Sequence, residues 1–323
     1  MKRITMILVT LVLTLTLSTA FASTKVAIVQ PMTHTSLDQI RDTVVSELEA
    51  SGLDLEIETY NANGDTSALT TILSNIASES VDLVIPIATS TAQTAKMVFE
   101  GTGTPIIFAA VSDPEAAGLT GEGCENITGV SHAVPSDQII GLIYNFQPDV
   151  QKVGFLYTSS EVNSVSTINA AKAYCDEIGL AYEEVSISNL SELQTACETL
   201  ISKGVDALFT GNDNSIASAM ATYTDVAYAA GIPVYCGADS MVADGGFATI
   251  GVNYVQLSQQ VAAIAVSVLN GESPADHPYE KLAEFAKFVN MQAVERFGGS
   301  FPESAYEGYT VLVEADGTSH FGE

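Results

Sequence analysis

Tryptophan is absent from the 323 residues, and lysine and arginine together number only 11 against 39 aspartates and glutamates. With a formal net charge of −28, the chain has no electrostatic means of holding nucleic acid or anionic lipid. Neither is expected as a partner. The four cysteines (Cys124, Cys175, Cys197, Cys236) show no CxxC spacing, which excludes the common zinc modules. Four buried thiols are expected. A Cys175–Cys197 bridge between successive helices is the alternative that an exported chain would allow. His34, His132, His277 and His320 are scattered, without HExxH or any paired spacing. No GxSxG elbow, Cys/His pairing or phosphate loop is found. The glycines between Gly118 and Gly129 neither closely follow a strand nor open a helix, so a dinucleotide fingerprint is unsupported. No catalytic residue, cofactor or metal is expected, and the enzyme class falls away.

Residues 1–22 carry a basic start (Lys2, Arg3), an apolar run from Ile4 to Leu17 and small residues at Ala20 and Ala22, the pattern of a secretory signal peptide. The run is short for a membrane span, and no Cys follows to take a lipid. The expectation is an exported chain beginning at Ser23, without a lipid anchor, in the periplasm or outside the cell. What remains is ample for two lobes. Strands are expected at Lys25–Gln30, Leu55–Tyr60, Asp82–Ala88, Pro105–Val111 and Ile127–Val130, with helices at Leu37–Ser51, Ser67–Glu79 and Ala92–Phe99 between them. Such alternation means a parallel sheet covered on both faces. The order then restarts. Helices at Ser136–Phe146, Val162–Ile178, Leu190–Lys203 and Ser215–Ala230 alternate with strands at Lys152–Thr158, Tyr182–Ile187, Ala207–Thr210, Pro233–Cys236 and Ala248–Val252. A long helix (Val255–Leu269), a strand (Phe285–Val289) and a short helix (Met291–Phe297) follow, and the tail from Ser300 carries no clear pattern. The fold class expected is α/β, two doubly wound parallel-sheet lobes joined by a hinge. Lobe 1 takes 23–133 and 253–285; lobe 2 takes 134–252 and 286–323.

In doubly wound sheets ligands sit beyond the carboxyl ends of the strands. Those tips read Gln30–Thr35, Ala88–Thr91 and Ala110–Asp113 in the first lobe. In the second they read Thr158–Ser164, Asn212–Ser215 and Ala238–Ser240. First-lobe tips offer hydroxyls and a helix start suited to a carboxylate. Second-lobe tips offer Glu161, Asp213 and Asp239, suited to an ammonium. Opposed polarities fit a zwitterion, of which an amino acid is the simplest, although each Ser, Thr or Asp alone reads more readily as a cap or turn residue.

QPMTHTSLDQIRD, the loop Asn61–Asp65, ATSTAQTA and AAVSDPEAAGLTGEGCENITGVS resemble the TrpX-type substrate-binding proteins of ABC transporters. So do LYTSSEVNS, TGNDNSIASAM, CGADSMVADGGFATIGVNY and the Leu257–Gly271 helix. The resemblance implies a type I periplasmic-binding architecture with three crossover segments and a closing cleft. It also implies a bound amino acid, often aromatic, delivered to a permease with a separate ATPase. By this resemblance Thr89, Ser90 and Thr91 meet the ligand at a helix start, with Ala110 and Ser112 on the neighbouring tip. Asp239 is the first choice for the ammonium partner. Asp213 is the second, with helix capping as its other role. Ser160, Asn163 and Ser164 complete a polar floor, and His34, Phe108, Tyr157 and Tyr254 flank an aromatic side chain, Phe108 having core as its alternative. A sugar or nucleoside receptor is the competing binding class, disfavoured by the missing tryptophan platforms. A sensory ectodomain would need a membrane span after the binding domain, and the sequence shows none. A monomer is expected.

Overall fold

The computed structural model describes residues 23–282, 284–297 and 303–321; the expected signal peptide lies outside them. The first half runs β1 (Thr24–Gln30), α1 (Thr35–Ala50), β2 (Leu55–Asn61), α2 (Thr66–Ser78), β3 (Leu83–Pro86), α3 (Thr89–Val98), β4 (Ile106–Val111) and β5 (Ile127–His132). The second runs α4 (Ser136–Phe146), β6 (Lys152–Thr158), α5 (Val162–Ile178), β7 (Ala181–Ile187), α6 (Leu193–Ser202), β8 (Ala207–Thr210), α7 (Asn214–Ala217), α8 (Met220–Ala229), β9 (Val234–Cys236), α9 (Asp239–Ala243) and β10 (Ala248–Gly251). The chain closes with α10 (Tyr254–Leu269), β11 (Glu280–Leu282), β12 (Ala286–Asn290), α11 (Met291–Arg296) and β13 (Thr310–Val313).

Two sheets result. One has the order β2-β1-β3-β4-β5-β11, the other β7-β6-β8-β9-β10-β12-β13. Pairing is parallel throughout except for β12, which runs antiparallel to β10. Each sheet thus has the doubly wound order 2-1-3-4-5 and a switch point beside its first strand. The central strands β3, β4 and β8 are buried along their whole length, as apolar strands covered on both faces must be. Edge strand β2 alternates between half-buried and exposed positions over Leu55–Glu58. The chain passes between the sheets after β5, after β10 and after β11, while α10 returns to pack along α1.

Three local features differ from expectation. The Ser215–Ala230 helix is broken: the Ser218 hydroxyl turns back to the Ser215 carbonyl at 2.7 Å, and Ala219 adopts a non-helical φ −130°, ψ 25°. Helix α3 begins at Thr89 rather than Ala92, so the three hydroxyl residues form its first turn instead of capping it. The cap is Ala88, in the left-handed region at φ 72°. Strand β11 is a polar edge strand burying only Leu282, too little for hydrophobic pattern to reveal. All four cysteines are free and buried, and burial pushes the thiols of Cys175 and Cys197 up to about 11 and 12.

The largest apolar cluster runs across both sheets, joining Leu37, Ile40, Ala88 and Ala110 to Ala238, Met241 and Tyr254. The lobes are therefore closed on one another. Direct hydrogen bonds hold them: Thr35 Oγ1 donates to Asp244 at 2.8 Å, Ser166 to Asp113 at 3.3 Å, Asn212 to Ser112, and Ser36 pairs with Ser240.

Candidate functional site

Between the lobes, at the carboxyl ends of the strands flanking both switch points, lies a small cavity. The first lobe contributes His34, Ser36, Leu37 and Ile40 from the start of α1, Ala88 and Thr89 from the β3–α3 junction, Ala110 from the end of β4, and His132 from the end of β5. The second contributes Asn163, the Asn212–Asn214 tip after β8, Ala217, Ala238 and Met241, and Tyr254 enters from the return crossing. No lysine or arginine lines it.

Local conformation explains what faces inward. Leu37 and Ile40 lie three residues apart on α1 and so share one helix face, and His34 precedes them as the extended N-cap residue of that helix. Ala88 and Ala110 both take positive φ, 72° and 57°, a strained backbone state that favours small side chains. These two turns bring main chain, not bulk, to the cavity wall. Helix geometry leaves the first-turn amides of α3 without intrahelical acceptors, and their dipole favours an anion. The Thr89 hydroxyl beside them is buried without a partner.

The second-lobe carboxylates have distinct roles. Asp213 is saturated: it accepts from the Thr158 amide (2.6 Å), the Ser164 hydroxyl (2.6 Å), the Thr158 hydroxyl (2.9 Å) and the Ile216 amide (2.9 Å). It caps α7 and ties it to β6 and α5. Burial, followed by the neighbouring Glu161 charge, pushes it up to about 7. Glu161 is engaged as fully, by the amides of Asn214 and Ser215 (2.9 Å each), the Asn214 side chain (2.8 Å) and the Ser215 hydroxyl (2.7 Å). Asp239 differs. It opens α9, buried, accepting the Ser240 amide at 2.7 Å with no cation beside it. Burial pushes it up to about 6. Its neighbours Ala238 and Met241 line the cavity, whereas Asp239 itself is not part of that lining.

His34, Thr89, Ala110, Asn163, Asp213 and Tyr254 of the expected residues meet at the cavity. Ser112 and Ser164 support it through Asn212 and Asp213. Ser90 and Ser160 lie apart, on a wider, polar outer cleft, and Thr91 is buried, its hydroxyl unpartnered, behind the first turn of α3. Two aromatic expectations are corrected. Phe108 is wholly buried in the first-lobe core, its ring 6.2 Å from that of Tyr279, because its position on β4 points to the helix-covered face away from the cleft. Tyr157 projects toward β7, where its hydroxyl lies 3.4 Å from Glu184. His132 was not anticipated. It extends β5 two residues beyond the expected end, and its ring stands edge-on to Tyr254 at 5.4 Å. Burial lowers it to about 4, so it is neutral. Asn212 and Asn214 belong to a tip recognised from sequence; Leu37 and Ile40 could have been found from their three-residue spacing behind His34.

Two lobes of the same doubly wound order, crossed three times by the chain and closed over a cavity at their strand tips, define a type I periplasmic-binding architecture. The chain belongs to the family of ABC transporter substrate binding proteins, which it matches over residues 25–315. It is 31% identical over 278 residues to a tyrosine-binding protein of Clostridioides difficile, covering 84% of this chain and 79% of that one. A Streptococcus pneumoniae ABC domain solved in complex with L-Trp shares 30% identity with a TM-score of 0.84, over 90% of this chain and 99% of that one. The ligand-free, open structure of the substrate-binding protein CD0873 from Clostridium difficile shares 31% identity over the same proportions but a TM-score of 0.67. At nearly the same identity the lower score accompanies the open form, in keeping with the closed lobes here. The family comprises extracytoplasmic solute-binding proteins rather than enzymes, and no helix among the described residues is long and apolar enough to cross a membrane.

Proposed function

We propose that this protein binds a free L-amino acid with an aromatic side chain in the inter-lobe cavity and delivers it to an ABC permease driven by a separate ATPase. One observation carries the reading: the inter-lobe cavity is lined on one side by an uncapped helix start with an unpartnered hydroxyl, while the strand tip on the other side, whose Ala238 and Met241 line it, carries the buried Asp239. The α-carboxylate fits the first turn of α3 at Thr89, and the ammonium fits Asp239, which keeps acceptor capacity that Asp213 and Glu161 have spent. Leu37, Ile40, Ala88, Met241 and Tyr254 form an apolar wall for the side chain, each Å² buried contributing about 25 cal/mol. With no lysine or arginine in the lining, a side-chain carboxylate would stay unpaired, which disfavours aspartate and glutamate. The tyrosine-binding relative and the L-Trp complex support the same class.

A thermal-shift screen of ligand-stripped protein against the twenty amino acids, several sugars and nucleosides tests this. Aromatic amino acids should lead, since a ligand at a hundredfold excess over its Kd stabilises by about 2.7 kcal/mol. A sugar or nucleoside giving the only shift would end the zwitterion reading and leave a solute receptor of another specificity.

A further inference from the structure

The hydrogen-bond network around the cavity fixes the tautomer of His34. Glu161 can only accept from the Asn214 amide group, which donates its Nδ2 at 2.8 Å. The Asn214 Oδ1 is thereby turned toward His34 Nε2 at 3.2 Å, and that nitrogen must carry the proton. Burial outweighs the nearby carboxylates and lowers the imidazole from its ordinary value, which favours the neutral ring, in which the other nitrogen bears a lone pair. Nδ1 is buried and has no partner; although His34 precedes α1, its side chain makes no capping bond. A buried acceptor left unmet is uncommon in folded proteins and calls for a donor. His34 lines the cavity just ahead of α1, whose Leu37 and Ile40 form part of its apolar wall.

We infer that His34 Nδ1 is a specificity-determining acceptor for a hydrogen-bond donor on the ligand's aromatic side chain, an indole N–H or a phenol O–H. The protein then distinguishes tryptophan and tyrosine from phenylalanine by a polar contact beside the apolar wall of the site. A site built to meet a donor rejects the analogue lacking one far more strongly than an apolar pocket rejects a missing methylene. This inference rests on the aromatic amino-acid reading above.

The test is calorimetry on ligand-stripped protein with L-tryptophan and β-(3-benzothienyl)-L-alanine, which replaces the indole N–H by sulfur at nearly constant shape, and with L-tyrosine and L-phenylalanine. Each donor-bearing ligand should bind about tenfold to a hundredfold tighter than its partner, the range expected when a buried polar group is left unpaired. His34→Phe also removes the inter-lobe bond to Asn214, which weakens all ligands alike, so the ratio within each pair is the readout. It should collapse to near one in the variant, with circular dichroism showing the fold retained. Ratios near one in the unaltered protein, or ratios that survive His34→Phe, would overturn the assignment. Failure of all four ligands to bind would instead overturn the aromatic amino-acid reading on which it stands.

Discussion

Replacing Asp239 by asparagine should weaken ligand binding and stabilise the empty protein at once. In the structure its carboxylate is buried, meets the Ser240 amide at 2.7 Å and has no cationic partner. Burial raises it from 3.8 to about 6, and a difference of that size corresponds to roughly 3 kcal/mol between the two protonation states. The sign follows from proton linkage. A carboxyl that holds its proton more tightly folded than unfolded costs stability above its folded pKa, and that cost vanishes as pH falls toward the unfolded value. Asp239→Asn should therefore raise the melting temperature of ligand-free protein by several degrees at pH 8, with the advantage shrinking as the pH falls below 6 toward 4. Binding should respond oppositely. Removing the counter-charge of a buried ammonium costs about 3–5 kcal/mol, or two orders of magnitude or more in Kd. In the unaltered protein, affinity should be full above about pH 6 and fall at lower pH, as binding must first expel the aspartate proton. Calorimetry with L-tryptophan and L-tyrosine at pH 5, 6, 7 and 8, beside thermal melts of the ligand-free forms, reads both effects. An unchanged Kd would remove Asp239 from the ammonium site. An unchanged ligand-free stability at pH 8 would show that its carboxylate is not held at a cost.

Asp213→Ala should destabilise the protein by several kcal/mol, because two buried amides and two hydroxyls lose their acceptor; urea unfolding that shows no loss would return Asp213 to the candidates for ligand contact. Asn212→Ala removes the bond to Ser112 across the cleft and the contact with His132 at 3.4 Å, and should speed ligand dissociation by about tenfold, measured by stopped flow. Gly129→Ala should be severely destabilising, since a Cβ there would lie 2.1 Å from the Phe108 carbonyl oxygen and overpacking of this kind forces backbone shifts; a normal melting temperature would contradict the strand packing described. N-terminal sequencing of exported protein should begin at Ser23.

The regular architecture is legible in the sequence because short apolar runs such as LVIP and IIFAAV, bounded by turn residues, have few ways to bury both faces except as central parallel strands. The opposed chemistry of the strand tips is legible for a related reason: in doubly wound sheets the residues after each strand gather at one end. Which side chains line the cavity was decided by tertiary structure. Phe108 and Ala110 lie on the same strand, yet Phe108 packs into the core under Tyr279 and Ala110 meets the cavity in a positive-φ turn, a distinction set by register and not by hydrophobicity. Asp213 and Asp239 are equivalent as residues after strands. Only the convergence of Thr158 and Ser164, some fifty positions away, saturates one of them while the other keeps spare acceptor capacity. The unpaired nitrogen of His34 depends on an amide oriented by Glu161 in the opposite lobe, a relation that exists only once the two lobes have closed.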